Sequence, residues 1–495
     1  MISMYAPDAG LRIFCQNCFW GDAWDVSESA QEYDFSKSFF EQFAALLQKA
    51  PLVSLINVRA ENSEYCNRIY DGRNNYLSYI ALYSPENLIH TYYTSSCRDC
   101  VDICFSIKCE LCYEVVNAEN CYNCSYSARI RDCHSSLFLE DCIGCNNCIA
   151  CKNLHRKSHH VFNQELSPTE YAAFLQSAQL DTRAGVTKLG NDFKTFAQQL
   201  PSRGRLTHNA EHSSGASLTN TKDCFECYDL LECEQCYFSV FCEKSHHLLD
   251  CFGCGEVEHS YDSVTLQNAQ NIFFSATAID SSNLLYCYEC YANTQDCFGS
   301  IGLKRGKHCI LNKAYTQREY EQKLEKIVDH MREGGEWGQF FPAELSPFAY
   351  NESTAFNEAP MRAEQCRQKG LRWSSTLNTL SSVENLVAAE DLPDHVGNLD
   401  ELVQQAVSCK LSKHAFRFVR QELEFYQKHG IPLPQLHPRE RHSARFSKIY
   451  PRRLYSAVCD CCQQSFDSSI DPQSGKLIYC EACFLGEFYG GVSSS

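Results

Sequence analysis

The chain has 495 residues, 44% of them hydrophobic, with 44 Lys and Arg against 61 Asp and Glu and a net charge of −17. At roughly 100–200 residues per domain this length suggests about three or four units, and the apolar content excludes wholesale disorder. The acidic sum argues against a surface coated throughout with nucleic acid. No run approaches the roughly 18 apolar residues of a membrane span, and Met1–Gly10 lacks the features of a secretory signal, so no membrane association and a cytoplasmic location are expected.

Cysteine is the anomaly, with 33 residues against 4 Met and 4 Trp. Twelve lie between Cys97 and Cys151 and eleven between Cys224 and Cys309. In a reducing compartment such clusters bind metal or fill cores more often than they form disulfides.

At the N-terminus, MYAPDAGLRIFCQNCFWG from Met4 lies over SIDPQSGKLIYCEACFLG from Ser469 at a constant offset of 465, placing Cys15 on Cys480 and Cys18 on Cys483. Residues 1–25 are therefore expected to be the back half of a truncated zinc ribbon, with Cys15 and Cys18 an incomplete metal site. Residues 26–60 should contain a strand and an amphipathic helix, Asp34–Lys49, with Phe35, Phe39, Phe40, Phe43, Leu46 and Leu47 inward and Pro51 beyond its end.

Two Cys-rich blocks follow, at 61–176 and 223–335, separated at 177–222 by a helical insert and then a Ser/Asn/Thr-rich linker at 207–222. Their ends match without a gap at an offset of 149, which places Cys148 on Cys297, His159 on His308, Asn163 on Asn312 and Tyr171 on Tyr320. Each ends in a strand-like segment and a capped helix, begun by Ser167-Pro168-Thr169-Glu170 in the first copy and by Thr316 with Glu319 in the second. Anchors at Ile272, Leu284, Cys297 and Cys309 are spaced 12, 13 and 12 apart. Such spacing suggests stacked coils with small residues inside. Buried thiols are the preferred reading of the block cysteines, and structural zinc is its rival. The run Cys142-x2-Cys145-x2-Cys148-x2-Cys151 departs from the ferredoxin pattern in its last spacing and its missing proline, so an iron–sulfur cluster is disfavoured.

Residues 336–408 read as a linker region with short helices. The basic helical segment 409–453 follows; from Lys410 to Arg453 there are 11 Lys and Arg and 3 Asp and Glu, a net of +8. Nucleic-acid contact through 410–490, with Arg439, Arg441, Arg445, Lys448 and Arg452 on one face, competes with internal pairing of these cations. Cys409, Ser412, His437 and Glu440 have the separation of a degenerate metal site, of which Cys409 and His437 are the plausible ligands. At 454–490, Cys459-x2-Cys462 and Cys480-x2-Cys483 are separated by 17 residues, the arrangement of a structural four-thiolate zinc ribbon.

The segments CFWGDAWD, YDFSKSFFEQF and ENSEYCN, the block endings, WGQFFPAELSPFAYNES and ELEFYQKHGIPLP leading into PRRLYSAVCDCC together resemble an uncharacterised family of cysteine-rich, zinc-ribbon-bearing bacterial proteins. The resemblance implies architecture and zinc, and brings no established activity. In that family a complete knuckle usually precedes the segment resembling Cys15–Asp25, and Cys-Pro-x-Cys-Arg tends to stand where this chain has His437-Pro438-Arg439-Glu440-Arg441.

The expected fold is mixed and β-rich: two duplicated Cys-rich β-solenoid-like blocks, each ending in a strand and helix, with a C-terminal zinc ribbon and an incomplete N-terminal one. No Walker loop, G-x-S-x-G or HExxH motif is present, which argues against an enzyme. The expected function is a non-catalytic zinc-binding scaffold for an unknown protein partner. A nucleic-acid-binding protein and a Cys-rich redox or iron–sulfur protein are the alternatives.

Overall fold

The computed structural model describes residues 1–490 apart from 23, 232, 239–263, 268–269 and 376–385. The second block's Cys242, Cys251 and Cys254 lie outside the described residues. The chain is β-rich, and a rule of three governs its strands. Asn117, Asn120, Asn123, Tyr126, Arg129 and Asp132 all have φ between 51° and 55°. Asn and Asp adopt this left-handed conformation at low cost, and they recur at these corners. Between the corners, Cys121, Cys124, Ser127, Ile130 and Cys133 are buried.

Four such three-residue sides return the backbone beside itself. Tyr122 accordingly pairs with His134, Ala128 with Glu140 and Leu137 with Ile149, all in parallel register at offsets of 12. Occasional coils run at 11, as Thr207 with Leu218, or 13, as Leu284 with Cys297. The strands thus enclose a narrow parallel interior. One such stack runs from Asn57 to Glu165, and the other includes strands from Thr207 to Leu231 and from Val264 to Ala314. The Ser/Asn/Thr-rich stretch 207–222, expected as a linker, instead forms the strands Thr207–Glu211 and Gly215–Lys222.

The interior explains the cysteine content. Cys97 Sγ donates to the carbonyl of Ser106 at 3.3 Å and accepts the Cys109 N–H at 3.4 Å. Cys100 Sγ bonds the Arg98 carbonyl at 3.1 Å and accepts the Cys112 N–H at 3.4 Å. Serine does the same where it replaces cysteine: Ser127 Oγ donates to the Ser125 carbonyl at 2.8 Å and accepts the Leu139 N–H at 3.0 Å. A buried N–H without a partner costs about 1–3 kcal/mol, so the inner column favours a small side chain that both donates and accepts. Burial also pushes the Cys66 thiol, inside the first stack, up to about 11, and the Cys104 thiol, on its outer face beneath Phe446, up to about 12.

Each stack closes with an antiparallel pair and a capped helix. His160–Val161 pairs with Gln164–Glu165, and Cys309–Ile310 with Lys313–Ala314. Complete capping boxes, Ser167 with Glu170 and Thr316 with Glu319, start the helices Pro168–Ser177 and Gln317–Glu333. Two further helices lie along the stacks, Phe39–Lys49 and Arg183–Gln198. The first begins later than expected because the Ser38 hydroxyl caps it, and Phe35 is left 49% exposed rather than inward. Among the described residues no helix is long and apolar enough to cross a membrane.

Candidate metal centre

The strands Tyr455–Val458 and Ser465–Ser468 form an antiparallel hairpin. Its turn is closed by the Cys459 N–H on the Gln464 carbonyl and the Gln463 N–H on the Cys459 carbonyl, both at 2.9 Å, with Gln463 left-handed at φ 61°. The second knuckle follows the strand Ile478–Tyr479, where Cys480 stands at the N-cap position of the helix Glu481–Phe488. These two turns bring Cys459, Cys462, Cys480 and Cys483 together, with all four sulfurs within 4.8 Å of one another.

Four sulfurs about 2.3 Å from a tetrahedral zinc ion lie about 3.8 Å apart. The Cys462 and Cys480 sulfurs are 3.8 Å apart, so the group fits a metal ion of that size. Cys459 is fully buried, and burial alone would raise its thiol, yet the N–H groups of Cys462, Cys480 and Cys461 hold it down at about 6. A thiolate is thereby favoured where a cation needs one. With four thiolates the shell is closed, leaving no position for substrate. Cys461 is exposed beside the site and does not belong to the four.

Cys15 and Cys18 are placed as the second knuckle is. Cys15 stands at the N-cap of Gln16–Trp20 at φ −64°, ψ 160°, and Cys480 at the N-cap of its helix at φ −64°, ψ 162°. Cys18 is exposed, and no third Cys, His, Asp or Glu joins this pair among the described residues.

Cys409 sits in the same kind of turn as Cys459. Its N–H meets the His414 carbonyl at 2.9 Å, Lys413 is left-handed at φ 60°, and its sulfur accepts the His437 N–H at 3.2 Å, as Cys459 accepts that of Cys480 at 3.2 Å. The ligands do not follow the backbone. His437 Nδ1 accepts the Arg439 N–H at 3.1 Å and caps the helix Pro438–Phe446, and burial, with His414 nearby, lowers its pKa to about 4. Cys409, His437 and Glu440 do not converge as the four cysteines do.

The five cations do not share one exposed face. Arg441 and Arg445 are buried: Arg441 pairs with Asp102 and with Glu422 at 3.0 Å, and Arg445 with Asp102 at 2.7 Å and Glu114 at 3.4 Å. Arg452 pairs with Asp229 at 2.8 Å and with Glu358. Arg439 donates to the Asn351 carbonyl at 3.2 Å, and Lys448 alone of the five is exposed. The expected exposed stripe gives way because residues 386–446 pack their apolar side, including Val407, Phe418, Leu423 and Tyr426, on Ile89, Val101 and Tyr113 of the first stack. The helix Pro438–Phe446 lies in that interface. Sequence reasoning missed Asp102, Glu114 and Glu422 as the partners; the four-residue spacing of Arg441 and Arg445, one helical face, was the available signal.

Comparison of the chain with protein-family models and with curated proteins returns no match. The site therefore stands on its own geometry.

Proposed function

We propose that the protein is a non-catalytic scaffold in which two duplicated β-solenoid blocks, braced by structural zinc at Cys459, Cys462, Cys480 and Cys483, present a surface to a partner protein. The observation that carries this reading is the division of labour among the thiols. Four converge into a closed shell, while those inside the stacks hydrogen-bond to the backbone of neighbouring coils. A shell of four thiolates leaves no open coordination position, and the thiols inside the stacks are buried.

The duplication is supported by contacts that recur at the offset of 149. The Leu166 N–H meets the His159 carbonyl at 2.9 Å and the Tyr315 N–H meets that of His308 at 3.1 Å. The rings of His159 and Tyr171 lie 5.4 Å apart, and those of His308 and Tyr320 lie 5.8 Å apart. Metal analysis of the purified chain tests the function. About one zinc per chain is expected; many zinc ions would favour ligand blocks, and iron with visible absorbance a redox protein.

A further inference from the structure

The helix and strand that precede each stack match one another. Phe39, Phe43, Leu46, Leu47 and Pro51 fall on Leu189, Phe193, Phe196, Ala197 and Pro201 at an offset of 150. Each segment leads into one stack and packs on the other. Phe39, ahead of the first stack, has its ring 5.1 Å from both Tyr286 and Phe298 of the second. Ahead of the second stack, Phe193 lies 6.3 Å from Phe138 and Phe196 lies 5.4 Å from Phe162, both of the first.

Contacts to the backbone cross in the same sense. Asn153 of the first stack donates to the Pro201 carbonyl at 2.8 Å. Gly302, its counterpart at 149, lies so close to the Pro51 carbonyl that a Cβ there would be 2.4 Å from the oxygen. The cysteine knuckles travel with these strands. Arg12–Phe14 pairs in parallel with Pro51–Val53, and Ile478–Tyr479 with Ser202–Arg203. The Ser54 N–H reaches the Phe14 carbonyl at 2.8 Å, and the Gly204 N–H that of Tyr479 at 3.0 Å. The first knuckle then touches the second stack, through Lys304 on the Phe19 carbonyl, and the C-terminal ribbon touches the first, through His155 and Tyr489 with ring centroids 5.0 Å apart.

We infer that the chain is a covalently joined pair of halves that have exchanged their leading helix–strand segments, so that the side face of each stack is a docking surface whose occupant is the other half. The symmetry of this arrangement rests on the duplication proposed above; the crossing rests on the packing of Phe39 and Phe193. Each stack therefore depends on a helix that is distant from it in sequence, and the C-terminal ribbon braces the first stack through the strand Ser202–Arg203.

Amide hydrogen exchange of the full-length, zinc-loaded protein tests the inference. Phe43→Leu should speed exchange several-fold in peptides covering 284–311 and leave 137–162 unchanged, while Phe193→Leu should do the reverse. If each substitution loosens only the stack that follows it in the chain, or both stacks equally, the exchange is refuted. Metal removal from the unsubstituted protein supplies a measurement that needs no variant: a chelator should speed exchange at 183–203 and 149–162 before 284–311, and equal loosening would again refute it. The duplication is judged separately by the equivalence of Asn163 and Asn312, so either reading can fail alone.

Discussion

Asn163 and Asn312 close their stacks with the same pair of hydrogen bonds. Asn163 Oδ1 accepts the Lys152 N–H at 3.0 Å while its Nδ2 donates to the Lys152 carbonyl at 2.8 Å. Asn312 does this to Ile301, with both bonds at 2.8 Å. Lys152 and Ile301 stand at the same offset of 149 as the two asparagines. Each side chain continues the parallel ladder for one more rung after the chain has turned away into its antiparallel pair.

Replacing either asparagine should therefore strand a main-chain N–H and carbonyl. Asn312 is 2% exposed and Asn163 is half-buried, so water can take over more readily at Asn163. Asn312→Ala is expected to cost about 1–3 kcal/mol and Asn163→Ala less, measured by denaturant unfolding. Two substitutions without effect would remove the argument that these residues are equivalent terminators.

The C-terminal ribbon spans roughly 35 residues, too few to bury a sufficient core unaided, so its folding should depend on metal. Cys480→Ser should release one metal ion per chain and open 454–490 to protease. An unchanged metal content would refute the assignment of the four cysteines.

The convergence of the four C-terminal cysteines was legible because two Cys-x2-Cys turns at that separation can meet only across a hairpin, and the block endings were legible because caps and turns are local. The coils at 207–222 were not. Their inward residues Leu218 and Thr221, with Cys224 and Cys227 just beyond them, are buried at every third position, a period that matches neither an amphipathic helix nor an alternating strand. The intervening Ser, Asn and Thr then look like a linker. Arg441 and Arg445 were misleading for a different reason: charge counted along the chain does not show that Asp102 and Glu114, more than 300 residues away, face them across an interface.

That interface makes a prediction about nucleic acid. Arg441 and Arg445 are held by buried carboxylates, and breaking such a pair commonly costs about 3–5 kcal/mol. Arg445→Ala should lower stability by that order while leaving retention on immobilised RNA or DNA unaltered, because the arginine is not on the surface. Salt-sensitive retention that disappears in a folded Arg445→Ala protein would restore the nucleic-acid reading.

The inner thiols predict which substitutions the stacks tolerate. Cys100→Ser keeps a donor and an acceptor beside the Arg98 carbonyl and the Cys112 N–H, whereas Cys100→Val keeps neither. The serine variant should be the more stable by about 1–3 kcal/mol in denaturant unfolding. Alkaline pH should weaken the stacks as well. Burial raises Cys66, inside the first stack, from an ordinary value of 9.0 to about 11, so its contribution is intact below pH 9 and is lost as pH rises toward 11, where the unfolded chain ionises first. A stability profile flat across that range would contradict the burial of these thiols.

At the other end of the scale, the packing of 386–446 on the first stack should fail in acid through Glu422. This carboxyl is 1% exposed, and burial alone would raise its pKa. His90, 3.4 Å away, and Arg441, at 3.0 Å, outweigh burial and hold it at about 2, with the Tyr426 hydroxyl donating to it at 2.8 Å. Asp102 and Arg445 complete the charged groups around Arg441. A carboxyl depressed in the folded state contributes stability above its ordinary value of 4.5, and that contribution is lost as pH falls toward 2. Near-ultraviolet circular dichroism and limited proteolysis at 386–446 should follow the loss, since Tyr426 and Phe418 lie in the interface. Glu422→Gln removes the titration, and its acid slope between pH 4.5 and 2 should flatten relative to the unsubstituted chain; identical slopes would show that another carboxyl controls the release.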